Sequence, residues 1–278
     1  MYADFIKEPP AGGTCFINFY MEFEETEDGR KEQNERLSEI KNGLKAAEDT
    51  FNLSPMEFDG EVINSEDWEN KCKEYFKPFM VDDIAIKPTW EEIPEGTEAK
   101  IVIDIDPGMA FGTGLHETTR LCLRGLRRFM QDGDRVFDLG CGSGILSIGA
   151  LKLGAGKAVA IDIDPEAARI AEENFACNGI SPESFTVYTG NVLDDEKMKE
   201  MLEKEPADIV LANILAEIVE PLTKDAHRYL KSGGLYITSG IIDTKEQVII
   251  DAVKANDNLE FMEVVEDGDW RSIIARRK

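Results

Sequence analysis

The stretch Val136-Phe137-Asp138-Leu139-Gly140-Cys141-Gly142-Ser143-Gly144-Ile145-Leu146 limits the possible folds more than any other part of this chain. Val136, Phe137 and Leu139 read as a short buried strand. A glycine cluster follows at once, and Ile145 to Leu153 carries a helical apolar pattern. Strand, glycine turn and helix is the arrangement with which α/β proteins cradle a nucleotide. Glycine permits the sharp turn and a close approach of backbone to ligand, and the helix N-terminus offers free N–H groups. The spacing is Asp-x-Gly-x-Gly-x-Gly, with Asp138 ahead of Gly140, Gly142 and Gly144. A dinucleotide loop needs Gly-x-Gly-x-x-Gly, which seats a pyrophosphate on the helix N-terminus. Here the third glycine comes one residue early and an acid precedes it, which suits a cationic ligand better. The bland alternative is a tight strand–helix turn with no ligand.

Beyond Val136 the chain alternates strand and helix, the pattern of a parallel sheet covered on both faces. The second strand is expected over 158–163, with Asp162 at its end and Asp164-Pro165 opening a helix that carries Ala168, Ala171 and Phe175 inward. Further strands are expected at 185–188, ending near Asn191, and at 207–212, ending at Asn213. A helix through Leu222 and Ala226 should stop at Lys231-Ser232-Gly233-Gly234, before a fifth strand at 235–241. Val248, Ile249, Ala252 and Val253 mark another helix. Two last strands, 259–265 and 270–276, flank Glu266-Asp267-Gly268-Asp269, a hairpin spacing that makes one of them antiparallel to the rest.

Residues 1–64 read as a small α+β unit. It has an alternating strand through Ile17 and Phe19, a polar turn over 24–29, a helix over 32–49 with Leu37, Ile40 and Leu44 on one stripe, and a further strand near 56–63. Residues 65–99 read as a linker helix with Trp68 and Cys72, followed by connecting segments, and residues 100–278 as the large domain. A second glycine-rich segment, Asp106-Pro107-Gly108-Met109-Ala110-Phe111-Gly112-Thr113-Gly114-Leu115-His116-Glu117-Thr118-Thr119, precedes a helix from about Thr118 to Met130. Taken alone, it reads equally as a flexible connection.

The net charge is −25, and residues 1–99 hold 10 basic and 25 acidic side chains. Such a field disfavours a nucleic-acid clamp and attracts a basic protein. No apolar run approaches the roughly 20 residues of a membrane span. The five cysteines include no Cys-x-x-Cys pair, so neither a metal site nor a disulfide framework is expected, and a cytoplasmic setting is. Cys141 reads as a packing residue.

In an open α/β sheet, ligands bind outside the carboxyl ends of the strands. Asp162 stands about twenty residues past the glycines, where an acid can accept hydrogen bonds from both ribose hydroxyls. Asn191 is placed to address an adenine edge, and Asn213 to stand near a transferable group. The glycine motif resembles the first motif of S-adenosylmethionine-dependent methyltransferases with a Rossmann-like fold. The resemblance is closer still to the ribosomal protein L-eleven methyltransferases, the PrmA family. It is carried by Asp106 to Thr119, Asp138 to Leu146, Ile161-Asp162-Ile163-Asp164-Pro165, Ala212-Asn213-Ile214-Leu215-Ala216, and Trp270.

That resemblance implies methyl transfer from S-adenosylmethionine to the N-terminal α-amine and lysine side chains of the ribosomal protein. A monomer is expected. The resemblance also implies cofactor contacts from Thr119, Gly140, Asp162 and Asn213. Asp138, Gly142, Gly144, Asn191, Phe111, Gly112 and Thr113 complete the expected cofactor site. Asn213 and the Ile214 carbonyl are the expected groups for aiming the amine. Two departures from the family pattern are expected: the small domain's opening strand and helix are missing, and Cys72 stands where a second Trp is usual. Three other readings stay open: an NAD-dependent oxidoreductase, a cofactor-binding module that no longer captures substrate, and a methyltransferase for a small molecule or RNA.

Overall fold

The computed structural model describes residues 2–5, 17–20, 26–51, 77–106 and 116–278. The expected strand near 56–63, the linker helix with Trp68 and Cys72, and Phe111, Gly112 and Thr113 lie outside the described residues. The chain divides into two units, Met1–Ile63 and Asn64–Lys278.

In the first unit, β1 (Tyr2–Phe5) pairs antiparallel with β2 (Ile17–Tyr20), and α1 spans Glu27–Phe51. The strand β1 went unpredicted, because four residues give no readable alternation. The helix starts earlier than its apolar stripe suggests. Thr26 accounts for this: its Oγ1 accepts a hydrogen bond from Gly29 N at 3.0 Å, so the polar segment expected to turn is capped into helix instead. Leu37, Ile40 and Leu44 are half-buried along one face, as their spacing predicts.

The second unit opens with a small sheet, β3 (Phe79–Val81), β4 (Ile84–Pro88) and β5 (Ile101–Ile105), with β4 and β5 parallel. Then follow α2 (Glu117–Phe129), β6 (Arg135–Leu139), α3 (Ile145–Lys152), β7 (Lys157–Asp162) and α4 (Pro165–Cys177). The chain continues through β8 (Phe185–Thr189), α5 (Glu196–Lys204), β9 (Ala207–Asn213) and α6 (Ala216–Asp225). It closes with β10 (Leu230–Ile242), α7 (Glu246–Ala255), β11 (Leu259–Asp267) and β12 (Trp270–Arg277).

The main sheet has the order β11-β12-β10-β9-β6-β7-β8. Strands β6 to β10 run parallel, and β12 lies antiparallel to both β10 and β11. The last hairpin turns through Gly268 at φ 60°, a two-residue connection that fits the twist of paired strands. The sequence pattern therefore gives the right topology: a Rossmann-like sheet whose final strand is reversed.

Alternate strand residues feed two cores. Val136, Ala160, Ile209 and Ile237 pack with Leu123, Leu126, Ile148, Ala171 and Phe175 of α2, α3 and α4. Phe137, Ile161, Val210 and Tyr236 pack with Leu202, Val219, Leu222, Ile249 and Val253 of α5, α6 and α7. Each fully buried Ile, Leu or Phe stabilises the fold by about 1.5–3 kcal/mol relative to exposure. Two expectations need correction. Lys231 to Gly234 does not end a helix: α6 stops at Asp225, and these residues form an irregularity inside β10, where its register against β9 shifts between Leu230 and Leu235. Tyr229 and Leu230 are drawn into the core there, so the chain joins the sheet before the glycines. Val248 faces solvent, and Ile249, Ile250 and Val253 make the buried stripe of α7.

Candidate functional site

The glycine loop hangs between β6 and α3. Gly140, Gly142 and Gly144 all have positive φ, at 85°, 51° and 79°, a conformation that costs other L-residues roughly 1–2 kcal/mol. The loop is pinned from β7: Gly140 N and Cys141 N donate to Ile161 O at 2.8 and 3.0 Å, and Gly142 N donates to Asp162 Oδ2 at 2.8 Å.

Asp138 is 1% exposed. Its Oδ2 accepts from Ser147 N at 3.1 Å and Ser147 Oγ at 2.8 Å, and its Oδ1 is buried with no partner. Burial pushes its pKa up from 3.8 to about 6; the Ser147 hydrogen bonds oppose this and the charge of Asp162 adds to it. Cys141 is buried beside these carboxylates. Burial first, then the charges of Asp138 and Asp162, hold its thiol well above its ordinary range, so it packs as a neutral group and is no nucleophile.

Asp162 ends β7 half-buried. Its Oδ1 accepts from Asp164 N at 3.0 Å, which leaves each carboxylate oxygen with capacity for one more donor. Ile163, the next residue, is 68% exposed, an apolar face set directly beside that acid. Asn191 lies beyond β8. Its Oδ1 accepts from Leu193 N at 3.0 Å and its Nδ2 donates to Asp194 Oδ2 at 2.7 Å, so its amide mainly builds its own turn.

Asn213 ends β9, next to Ser239 of β10, and its Oδ1 is buried without a partner. The following residue, Ile214, is held between two glycines. A Cβ built on Gly140 would lie 2.3 Å from Ile214 Cγ2, and one on Gly240 would lie 2.3 Å from Ile214 O. Gly240 has φ 80° and sits in a bulge of β10, where the register with β12 shifts between Thr238 and Ile241. The bulge bends the strand and lets the Asn213–Ile214 backbone close in. Ser239 Oγ donates to Arg271 O at 3.2 Å across the same irregularity.

Facing these strand ends is the start of α2, a helix that packs on β9 and β10. His116 is its N-cap, with Nδ1 accepting from Thr118 N at 3.3 Å. The His116 ring meets Trp270 of β12 edge-on at 4.7 Å. Thr119 is buried, and its Oγ1 has no partner. A glycine cradle, an acid at the next strand end and three unpartnered buried oxygens therefore share one edge of the sheet.

A family model described as "Ribosomal protein L11 methyltransferase (PrmA)" matches residues 23–278. The chain belongs to the ribosomal protein L11 methyltransferase family. The ribosomal protein L11 methyltransferase of Lachnospira eligens is 43% identical over 280 residues, covering 100% of this chain and 86% of its own length. That of Agathobacter rectalis is 40% identical over 281 residues, covering 100% of this chain and 85% of its own. A crystal structure of a ribosomal protein L11 methylase from Lactobacillus delbrueckii subsp. bulgaricus superposes with a TM-score of 0.65 at 34% identity, over 73% of this chain and all of that one.

The structure places Asp138, Gly140, Gly142, Gly144, Asp162, Asn213 and Ile214 at or just past the carboxyl ends of β6, β7 and β9, and Thr119 in the first turn of α2. Asn191 lies past the end of β8, with its amide turned to its own loop. Sequence reasoning missed Ser147, which anchors Asp138, and Gly240. A lone glycine inside an apolar strand was the available signal for Gly240. It also missed Ile163, whose signal is an apolar residue set between Asp162 and Asp164.

Proposed function

We propose that this chain transfers methyl groups from S-adenosylmethionine to amines of ribosomal protein L11, the N-terminal α-amine and lysine side chains, as a monomer in the cytoplasm. Among the described residues six buried side-chain oxygens lack a partner, and the observation that carries the site assignment is that three of them, Thr119 Oγ1, Asp138 Oδ1 and Asn213 Oδ1, belong to the glycine-loop strand, the Asn213 strand end and the helix packed on it. Buried polar atoms without a partner are rare and costly, and a bound molecule offering donors would satisfy them. S-adenosylmethionine fits, since its ribose hydroxyls, adenine amino group and ammonium group donate hydrogen bonds and its sulfonium adds a positive charge.

When bound, the cofactor supplies an electrophilic methyl group. Asp162 accepts the ribose hydroxyls with its remaining lone pairs, while its bond to Gly142 N keeps the glycine loop in place. Ile163 gives an apolar face for the base, and backbone around Asn191 reads the base edge in place of the committed amide. Asp138, ionised near neutral pH, sets a negative potential behind the loop. Thr119 closes the site from α2 and accepts or donates through its free hydroxyl. Phe111, Gly112 and Thr113 are assigned to the cofactor on the sequence motif alone.

Asn213 Oδ1 accepts a hydrogen from the neutral amine and aims its lone pair. Ile214 shares the task through its backbone, held by Gly140 and Gly240. Holding reacting atoms about 3–3.5 Å apart and in line supplies much of the rate in such a transfer. The acidic residues 1–99 attract the basic substrate, and their sign gives no nucleic-acid clamp. Among the described residues, no helix is long and apolar enough to cross a membrane.

The test is mass spectrometry of purified ribosomal protein L11 incubated with the chain and S-adenosylmethionine, with Asn213→Ala alongside. Mass gains in steps of one methyl group are expected, with turnover at saturating S-adenosylmethionine at least tenfold lower in the variant. No mass gain with the unaltered chain overturns the reading. Normal turnover of the variant removes the amine-aiming role.

A further inference from the structure

Asn174 is 1% exposed on α4, and its carboxamide reaches two backbone segments at once. Its Oδ1 accepts from Asp106 N at 2.8 Å. Its Nδ2 donates to Asp106 O at 3.0 Å and to Ser143 O at 2.9 Å. Asp106 is the residue from which the second glycine-rich segment departs, and Ser143 lies inside the first glycine loop. One helical turn later, Asn178 repeats half of this pattern. Its Oδ1 accepts from Asp104 N at 2.9 Å, and its Nδ2 donates to Asp104 O at 2.6 Å and to Asn174 O at 2.8 Å. The two amides run along the end of β5 as a neighbouring strand would, each pairing with the N–H and C=O of one residue. Asn174 alone goes on to the glycine loop. It does so where α4 already touches that loop, since a Cβ on Gly144 would lie 3.1 Å from Ala171 Cβ.

We propose that Asn174 is a positioning residue that fastens Asp106, just past the end of β5, to the cofactor loop at Ser143, so that the loop is held in the conformation that binds. This rests on the reading of 140–144 as the cofactor loop. The chemistry is specific to a carboxamide. Aspartate would keep the acceptor for Asp106 N but set an oxygen against two carbonyl oxygens, and alanine would remove all three bonds. Neither substitution touches a group that contacts the reacting atoms.

Asn178 provides the control, because it ties the same helix to the same strand and never reaches the glycine loop. Asn174→Ala and Asn178→Ala should lower the melting temperature by similar amounts. Hydrogen exchange without cofactor should quicken at 140–144 and at Asp106 in Asn174→Ala, and only near Asp104 in Asn178→Ala. By calorimetry, S-adenosylmethionine should bind at least tenfold more weakly to Asn174→Ala, more weakly still to Asn174→Asp, and within twofold of normal to Asn178→Ala. Unchanged exchange at 140–144 in Asn174→Ala overturns the proposal, as does an equal loss of affinity in both alanine variants. Should the Asn174 variants fail to fold, exchange on the unaltered chain decides: added cofactor should protect Asp106 together with 140–144, and protection of 140–144 alone overturns it. A failure of the unaltered chain to bind S-adenosylmethionine would instead strike the functional reading, and the exchange comparison between variants would still decide the coupling.

Discussion

Replacing Asp138 by Asn should change the pH dependence of both stability and cofactor binding. The buried carboxyl has its pKa raised from 3.8 to about 6, chiefly because burial penalises the anion. A raised carboxyl pKa means that the folded state binds the proton more tightly than the unfolded chain does. The contribution of this group is therefore most favourable below about pH 4, declines between pH 4 and 6, and is flat above that. At about 1.4 kcal/mol per pH unit, ionised Asp138 costs the free protein on the order of 3 kcal/mol at pH 7. Asparagine has no such slope. It places an amide at the unpartnered Oδ1 position, a pH-independent cost of about 1–3 kcal/mol, so the slope and not the absolute stability is the diagnostic quantity.

Urea midpoints of both proteins at pH 4, 5, 6 and 7 should show the variant gaining on the parent by roughly 3 kcal/mol across that range. Other carboxylates shift both proteins alike. Asp83, held low by Arg127 and Lys100, and Asp267, held low by Arg120, lose their stabilising pairs as pH falls through their depressed pKa values. Calorimetry with S-adenosylmethionine completes the test. The parent should lose affinity as pH falls through about 6, while the variant should bind at least tenfold more weakly at pH 7.5 with no such dependence. A stability difference that is constant with pH would refute the argument that folding strains this carboxylate. An unaltered affinity would refute its role behind the cationic ligand.

Asp162→Ala should weaken S-adenosylmethionine by about 1.5–3 kcal/mol by calorimetry, the scale for hydrogen bonds to a charged group; unchanged affinity would remove the ribose assignment. Gly140→Ala should cost about 1–2 kcal/mol for its backbone conformation and about 1–3 kcal/mol for overpacking against Ile214. Adding Ile214→Ala should recover the second part, because the nearest atom left would be Cβ at 3.7 Å. Additive urea-unfolding effects in that cycle would show that Ile214 is not held there. Finally, kcat/KM for the ribosomal protein should fall as salt rises from low to physiological levels while cofactor affinity stays level. Insensitivity would shift substrate selection away from the acidic residues and toward Asn213 and its neighbours.

Local pattern specifies the α/β topology, the antiparallel final strand and the strand ends that carry Asp138, Asp162 and Asn213. These depend on local period, glycine position and turn chemistry, all of which lie within a few residues of one another. It also specifies that Gly140, Gly142 and Gly144 form a loop ahead of a helix, and all three take the left-handed conformations that glycine tolerates. It does not specify which group each polar side chain meets. Asn191 reads as a base contact from its place after β8, yet its amide closes its own turn.

Asp138 reads as a ligand from its place before the glycines, yet one oxygen is committed to Ser147, nine residues on. His116 and Trp270 stand 154 positions apart and meet only because β12 returns beside β10 under the start of α2. The clamp on Ile214 needs a glycine from β6's loop and another from a bulge in β10, and no periodicity records that pairing. Asn174 is the furthest case. In the sequence it is one polar residue on a helix, and only packing turns that amide toward two loops. Tertiary structure decided these contacts because hydrogen bonds and close approaches are short-ranged, and the partners are far apart along the chain.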